Sequence, residues 1–147
     1  MAKELDALLA RFAEHRSLNG LNSDIGGRYS ILIDNDLEVA LFQSGDRLYI
    51  EAALESLPAD TYKVEQLLRH YLQLQLVRSP NKLETVSLEP DSDRLILFRQ
   101  LSIKALSLDA FEQVLEEFAN SLDFWILNNT TSATHLPAPA SMQMLFP

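Results

Sequence analysis

Few residues in this chain have both the type and the spacing that bond-making chemistry requires. The three histidines, His15, His70 and His135, lie in separate stretches. None stands in an HExxH or similar ligand spacing, so surface or locally satisfied histidines are expected. Asp34, Asp36 and Glu38 alternate beside a turn and hint at a cation site. A Ca²⁺ loop needs further oxygen ligands and a glycine at its sharp turn, which this stretch lacks. Turn formation and edge protection are the expected roles of these acids. Ile25-Gly26-Gly27-Arg28 holds the one adjacent glycine pair. It has neither the glycine spacing nor the lysine of a phosphate loop, so a flexible connection into the first strand is expected. There is no nucleophile elbow. No catalytic, cofactor or metal residue is assigned, and an enzyme is not expected.

The bulk composition narrows the partners. At 147 residues, 47% hydrophobic and 22% charged, the chain suits one domain with a real core. Its net charge is -9 and its sequence pI about 4.7. Nucleic acid and anionic membrane surfaces attract clustered Lys and Arg, so neither is expected as a partner. An acidic surface does keep a protein soluble while it carries an apolar partner. The absence of cysteine excludes disulfides and thiolate metal sites, and fits a reducing cytoplasm. Charges interrupt the N-terminal MAKELDALLARFAEHR, which therefore does not read as a signal peptide. No apolar run approaches the length of a membrane span.

The elements follow from periodicity. Leu5, Leu8, Leu9 and Phe12 recur at helical spacing and predict a helix over residues 3–16. A Gly-, Asn- and Ser-rich stretch then predicts a loop. Tyr29–Asp34, Leu37–Gln43 and Arg47–Leu54 read as three strands joined by short polar turns, an antiparallel meander. Asp60 is a candidate N-cap for a second helix carrying Val64, Leu67, Leu68, Tyr71 and Leu72, with Pro80 past its exit. Lys82–Leu88 and Arg94–Gln100 read as strands joined through Glu89–Asp93. Ser107 caps a third helix over residues 108–127, with Phe111, Val114, Leu115, Phe118, Leu122 and Trp125 on one face. From Asn128 the composition turns to Pro, Ser, Thr and Asn, so the domain is placed at 1–127 and a flexible tail at 128–147. The fold class is α+β: three helices packed on a five-stranded, mostly antiparallel sheet in the order α-β-β-β-α-β-β-α.

Strand alternation separates the two faces of the meander. Tyr29, Ile31, Ile33, Leu37, Val39, Leu41, Leu48, Ile50 and Ala52 make one nearly pure apolar face, expected to pack on helices. The other face is mixed, and Leu32, Ala40, Phe42 and Tyr49 are candidates for an exposed apolar patch. Coverage of that face by helices or the tail is the competing expectation. The second helix has apolar surface to spare, since Leu74 and Leu76 stand beside Leu72. A helix apolar on more than one side is buried on more than one side, and a two-fold homodimer is the default way to do so.

Residues 82–125, KLETVSLEPDSDRLILFRQLSIKALSLDAFEQVLEEFANSLDFW, carry a resemblance. A strand, an acidic turn, the strand RLILFRQL and a helix with Phe111, Val114, Leu115, Glu116, Phe118 and a terminal Trp125 follow in that order. This pattern resembles the C-terminal half of class I (CesT-like) type III secretion chaperones, and the element order, size and low pI extend the resemblance over residues 3–127. The resemblance implies a cytoplasmic bacterial homodimer. It would bind the N-terminal chaperone-binding segment of a secreted effector and deliver it to the secretion machine, with the export ATPase as a further partner. It implies no cofactor. It places effector contacts at Leu5, Leu9, Phe12, Leu32, Ala40, Phe42 and Tyr49, and the dimer interface at Val64, Leu67, Leu68, Tyr71, Leu72, Leu76 and Val86. The alternative is a dimeric adaptor or regulator of similar architecture without effector cargo.

Overall fold

A computed structural model describes residues 3–16, 21, 23–33, 37–78, 83–89 and 92–128. The elements are α1 (Lys3–His15), β1 (Tyr29–Ile33), β2 (Leu37–Ser44), β3 (Arg47–Ser56), α2 (Thr61–Arg78), β4 (Thr85–Leu88), β5 (Arg94–Ser102) and α3 (Leu108–Leu127). The order matches the sequence expectation. The strands form one sheet in the order β1-β2-β3-β5-β4, and every neighbouring pair is antiparallel. The sheet therefore has two edge strands, β1 and β4.

The register explains why one face is core. Ile31 stands opposite Val39, Leu41 opposite both Tyr29 and Ile50, and Ala52 opposite Leu97. Each is buried, so a single apolar surface runs across four strands. The core face of α3 lies against it with Phe111, Phe118, Leu122 and Trp125 almost fully buried. Such a helix has an uninterrupted apolar stripe and a good start: Ser107 accepts a hydrogen bond from the amide of Ala110 at 3.1 Å. Leu5, Leu8, Leu9 and Phe12 bury the stripe of α1, and Phe12 meets Phe111 edge-on at 5.4 Å. Helix α2 starts at Asp60, whose side chain accepts from the amide of Lys63. It is seated by Leu67 and by Tyr71, which stacks on Trp125 at 5.5 Å and donates to Glu55 at 3.1 Å. Burial, with Glu55 beside it, pushes the Tyr71 hydroxyl far above its ordinary pKa.

One cation sits on the buried face. Arg99 of β5 stands opposite Ile50. Its Nη1 donates to Glu84 at 3.0 Å and Glu117 at 2.9 Å, and Ser121 donates to Glu84 at 2.7 Å. Glu84, Arg99 and Ser121 are all buried. This cluster fastens the entry to β4 onto β5 and α3. Buried charges persist only where paired in this way.

Three expectations shift. The Gly26-Gly27 connection is a closed turn rather than a flexible link. The Asp24 carboxylate accepts from the amides of Gly26 and Arg28, and Gly27 takes φ +80°, where a side chain would be strained. Strands β3 and β5 each run two residues past their predicted ends, because they pair together as far as Ser56 opposite Arg94 and Arg47 opposite Ser102. A register shift between Ala53 and Glu55 absorbs one extra residue in β3. The fourth strand begins at Thr85 rather than Lys82, and the residue ahead of it, Glu84, is turned into the ion cluster. The turn at residues 34–36, Pro80, His135 and the tail expectation lie outside the described residues.

Candidate functional site

Neither described histidine is placed for chemistry. His15 Nδ1 lies 2.8 Å from Glu112 Oε2, and Arg16 donates to the same oxygen at 3.2 Å. The pair clasps α1 to α3, and the hydrogen bond from His15, followed by Arg16, holds the Glu112 carboxyl below its ordinary pKa. His70 Nε2 meets the carbonyl of Asn128 at the end of α3. Among the described residues no group of three or more His, Cys, Asp or Glu side chains could hold a metal ion.

What the structure offers instead is apolar surface at the two edges of the sheet. At the β4 edge, α2 has two stripes. Leu67 and Tyr71 are buried and Val64 is half-buried, so these residues seat the helix. Leu68, Leu72 and Leu76, spaced four apart, face outward, with Leu72 67% and Leu76 79% exposed. The interface expectation for α2 thus divides. Leu67 and Tyr71 belong to the core because stacking on Trp125 fixes the rotation of the helix. Val77, Leu83 and Leu88 are also exposed, and the half-buried Val86 lies at the same end of the sheet. The sequence set lacks Val77, Leu83 and Leu88. The run Leu74-Gln75-Leu76-Val77 carries the signal for the first; nothing in pattern alone turns Leu83 outward. Gln75 accepts from the Val86 amide at 3.3 Å, which ties α2 to β4 and covers one amide of this edge.

At the β1 edge, grooves flank α1 on both sides. One, with a volume of 960 Å³, runs between α1, α3 and β1. Phe12, Ile31, Ile33, Leu115 and Ala119 supply its apolar lining; Arg16, Asp109, Glu112 and Glu116 supply its charges. Leu32 also lines it and is 64% exposed. The other groove, 450 Å³, is lined by Leu9, Ala10, Ala13, Leu21 and Tyr29, with Asp6 and Glu14. Tyr29 donates to Asp6 across it, and that hydrogen bond, followed by burial, raises the pKa of the hydroxyl. Ser23 bridges to Tyr29 on the outer edge of β1; beyond it, no described strand pairs with that edge. Of the helix residues expected to touch a partner, Leu9 and Phe12 line grooves. Leu5 has no exposed surface and acts only to seat α1.

The remaining expected contacts are divided by the register. Glu38, not an apolar residue, stands opposite Leu32, so Leu32 belongs to the groove rim. Phe42 and Tyr49 stand opposite each other and stack at 5.0 Å. The Arg28 guanidinium lies 4.8 Å from the Phe42 ring centroid and pairs with Glu51. Both rings are half-buried, so this pair carries its own polar cover. Ala40 lines a third concavity of 350 Å³, where the ladder between β2 and β3 ends at Ala40 opposite Glu51. The four outer-face residues therefore do not form one continuous patch.

Comparison with known proteins agrees with this architecture. No curated protein sequence matches the chain. Solved structures do. One is the HopA1–SchA chaperone–effector complex, with a TM-score of 0.63 at 20% identity, covering 84% of this chain and 93% of that one. A second is the ExsC–ExsE complex, with a TM-score of 0.62 at 24% identity, covering 88% and 97%. A third is YbjN from E. coli, with a TM-score of 0.62 at 13% identity, covering 90% and 96%. At these identities the likeness is one of fold. The sequence itself decides the family: residues 7–126 match the model of the Tir chaperone protein (CesT) family, and the chain belongs to that family.

Proposed function

We propose that the chain is a cytoplasmic chaperone that holds the N-terminal segment of a type III secretion effector in extended form, as a homodimer. The observation that carries this reading is the β1 edge, with which no described strand pairs beyond the Ser23–Tyr29 bridge, lying beside a 960 Å³ groove with an apolar lining. An extended guest strand pairs its main chain with such an edge and drops alternate side chains into the groove. Each Leu or Phe so buried contributes about 1.5–3 kcal/mol. The guest must be ordered from a disordered state, so tight holding needs several such anchors. Nothing in this scheme breaks a bond, and energy for export belongs to the secretion ATPase, a further partner. No helix among the described residues is long and apolar enough to cross a membrane.

The HopA1–SchA chaperone–effector complex supports the reading through its shared fold, beside the family to which this chain belongs. The exposed stripe Leu68, Leu72 and Leu76 with the β4 edge is the surface on which two copies pair. The working unit is residues 1–127, with 128–147 as an appended tail. The test uses the N-terminal segment of the secreted protein encoded beside this gene. Leu32→Asp lowers affinity at least about tenfold if one apolar anchor is lost. Its melting temperature stays within about 3 °C, because an exposed substitution changes stability little. Unchanged affinity would remove the groove rim from the site. The second reading, a dimeric adaptor without effector cargo, draws on the same fold in YbjN. It predicts dimers to which no effector segment binds.

A further inference from the structure

The charges around the β1-end grooves are one-sided. Asp109, Glu112 and Glu116 stand at i, i+3 and i+7 of α3, on one helical face along the larger groove. Asp6 and Glu14 line the smaller one. Among the described residues Arg16 is the one cation lining either groove, and Glu112 already engages it together with His15. Asp6 is engaged by Tyr29. Glu14, Asp109 and Glu116 are exposed and form no ion pair among the described residues. The outer sheet face differs, since Arg28 pairs with Glu51 and Arg94 with Glu89.

We infer that the guest held in these grooves is not merely apolar but basic: apolar anchors flanked by Lys or Arg, which meet Glu14, Asp109 and Glu116. This rests on the holding function proposed above and specifies its partner. An apolar segment flanked by acids would bring like charges against these rims in a lower-dielectric cleft, an arrangement that rejects partners. A neutral segment would leave the rim uncompensated. The larger groove follows α3 from Asp109 to Asn120, about 16 Å of helix. An extended guest covers that length with about five residues, so apolar anchors and their basic flanks fall within one short stretch.

The experiment is selection from a displayed library of peptides about twelve residues long, built from Leu, Phe, Ser, Gly, Lys and Glu, on the full chain. The bound pool is expected to be enriched in Leu and Phe, with Lys favoured over Glu at flanking positions. Individual Lys-flanked peptides should bind about tenfold more weakly to the Asp109→Lys/Glu116→Lys variant, and more weakly as salt rises. The neutral Asp109→Asn/Glu116→Gln variant should fall between. A pool enriched in apolar residues with no charge preference overturns this inference and leaves the holding function standing. A chain that enriches no peptide overturns both.

Discussion

Single residues show where the sequence pattern ends and three-dimensional packing begins. Arg99 occupies an inward position of a strand whose other inward residues, Leu95, Leu97 and Leu101, are apolar, and its spacing gives no sign that Glu84 and Ser121 will meet it. The sequence places the three on two strand segments and a helix; only the pairing of β4 with β5 brings them together. Removing the cation leaves Glu84 buried with Ser121 alone of these partners. Arg99→Ala should therefore cost about 3–5 kcal/mol in chemical denaturation. Arg99→Met/Glu84→Met should recover most of that loss, because the replaced pair no longer has charge to desolvate. Glu112 gives a pH signature. Its folded pKa lies below the unfolded value, so its contribution is complete above about pH 4.3 and is lost as pH falls through the folded pKa. The melting temperatures of wild type and Glu112→Gln should differ at pH 6 and converge in acid. A gap that widens on acidification would contradict the clasp.

At the scale of elements, most of the fold was legible. Strong periodicity marked α1 and α3, and short polar turns marked the meander, so order and type followed from local physics. The helix α2 shows the limit. Its sequence carries two apolar stripes, and periodicity cannot say which one faces inward. Tyr71 decides it by stacking on Trp125, a contact across more than fifty residues of chain. The same geometry exposes Leu68, Leu72 and Leu76. Leu72→Glu/Leu76→Glu should yield monomers in sedimentation with an unchanged helical circular dichroism signal. A dimer that survives both changes would move the pairing surface elsewhere. Leu67→Ala should instead destabilise the fold by about 2–5 kcal/mol, as a core truncation does. The outer face of the sheet was the least legible part. Alternation grouped Leu32, Ala40, Phe42 and Tyr49 correctly on one side, but neighbours on a face are set by register. Glu38 opposite Leu32 and Arg28 over Phe42 break the patch apart.

For the whole molecule, the sheet order places two different surfaces at its two edges. The β4 edge carries an exposed leucine stripe on α2, suited to a second copy. The β1 edge, with which no described strand pairs beyond the Ser23 bridge, lies between grooves and is suited to an extended guest. On the proposed function this separation would let pairing of two copies and holding of a guest be altered independently, and it follows from placing α1 beside one edge and α2 beside the other. The central claim is that the guest is held at the β1 edge. Hydrogen exchange on the full chain, with and without the N-terminal segment of the secreted protein encoded beside it, tests that claim most directly. Binding should slow exchange of the amides of Ile31–Ile33 and of the α3 turn around Glu116, while α2 amides exchange as before. Protection confined to α2 or to the outer face around Tyr49, with β1 unchanged, would contradict the account.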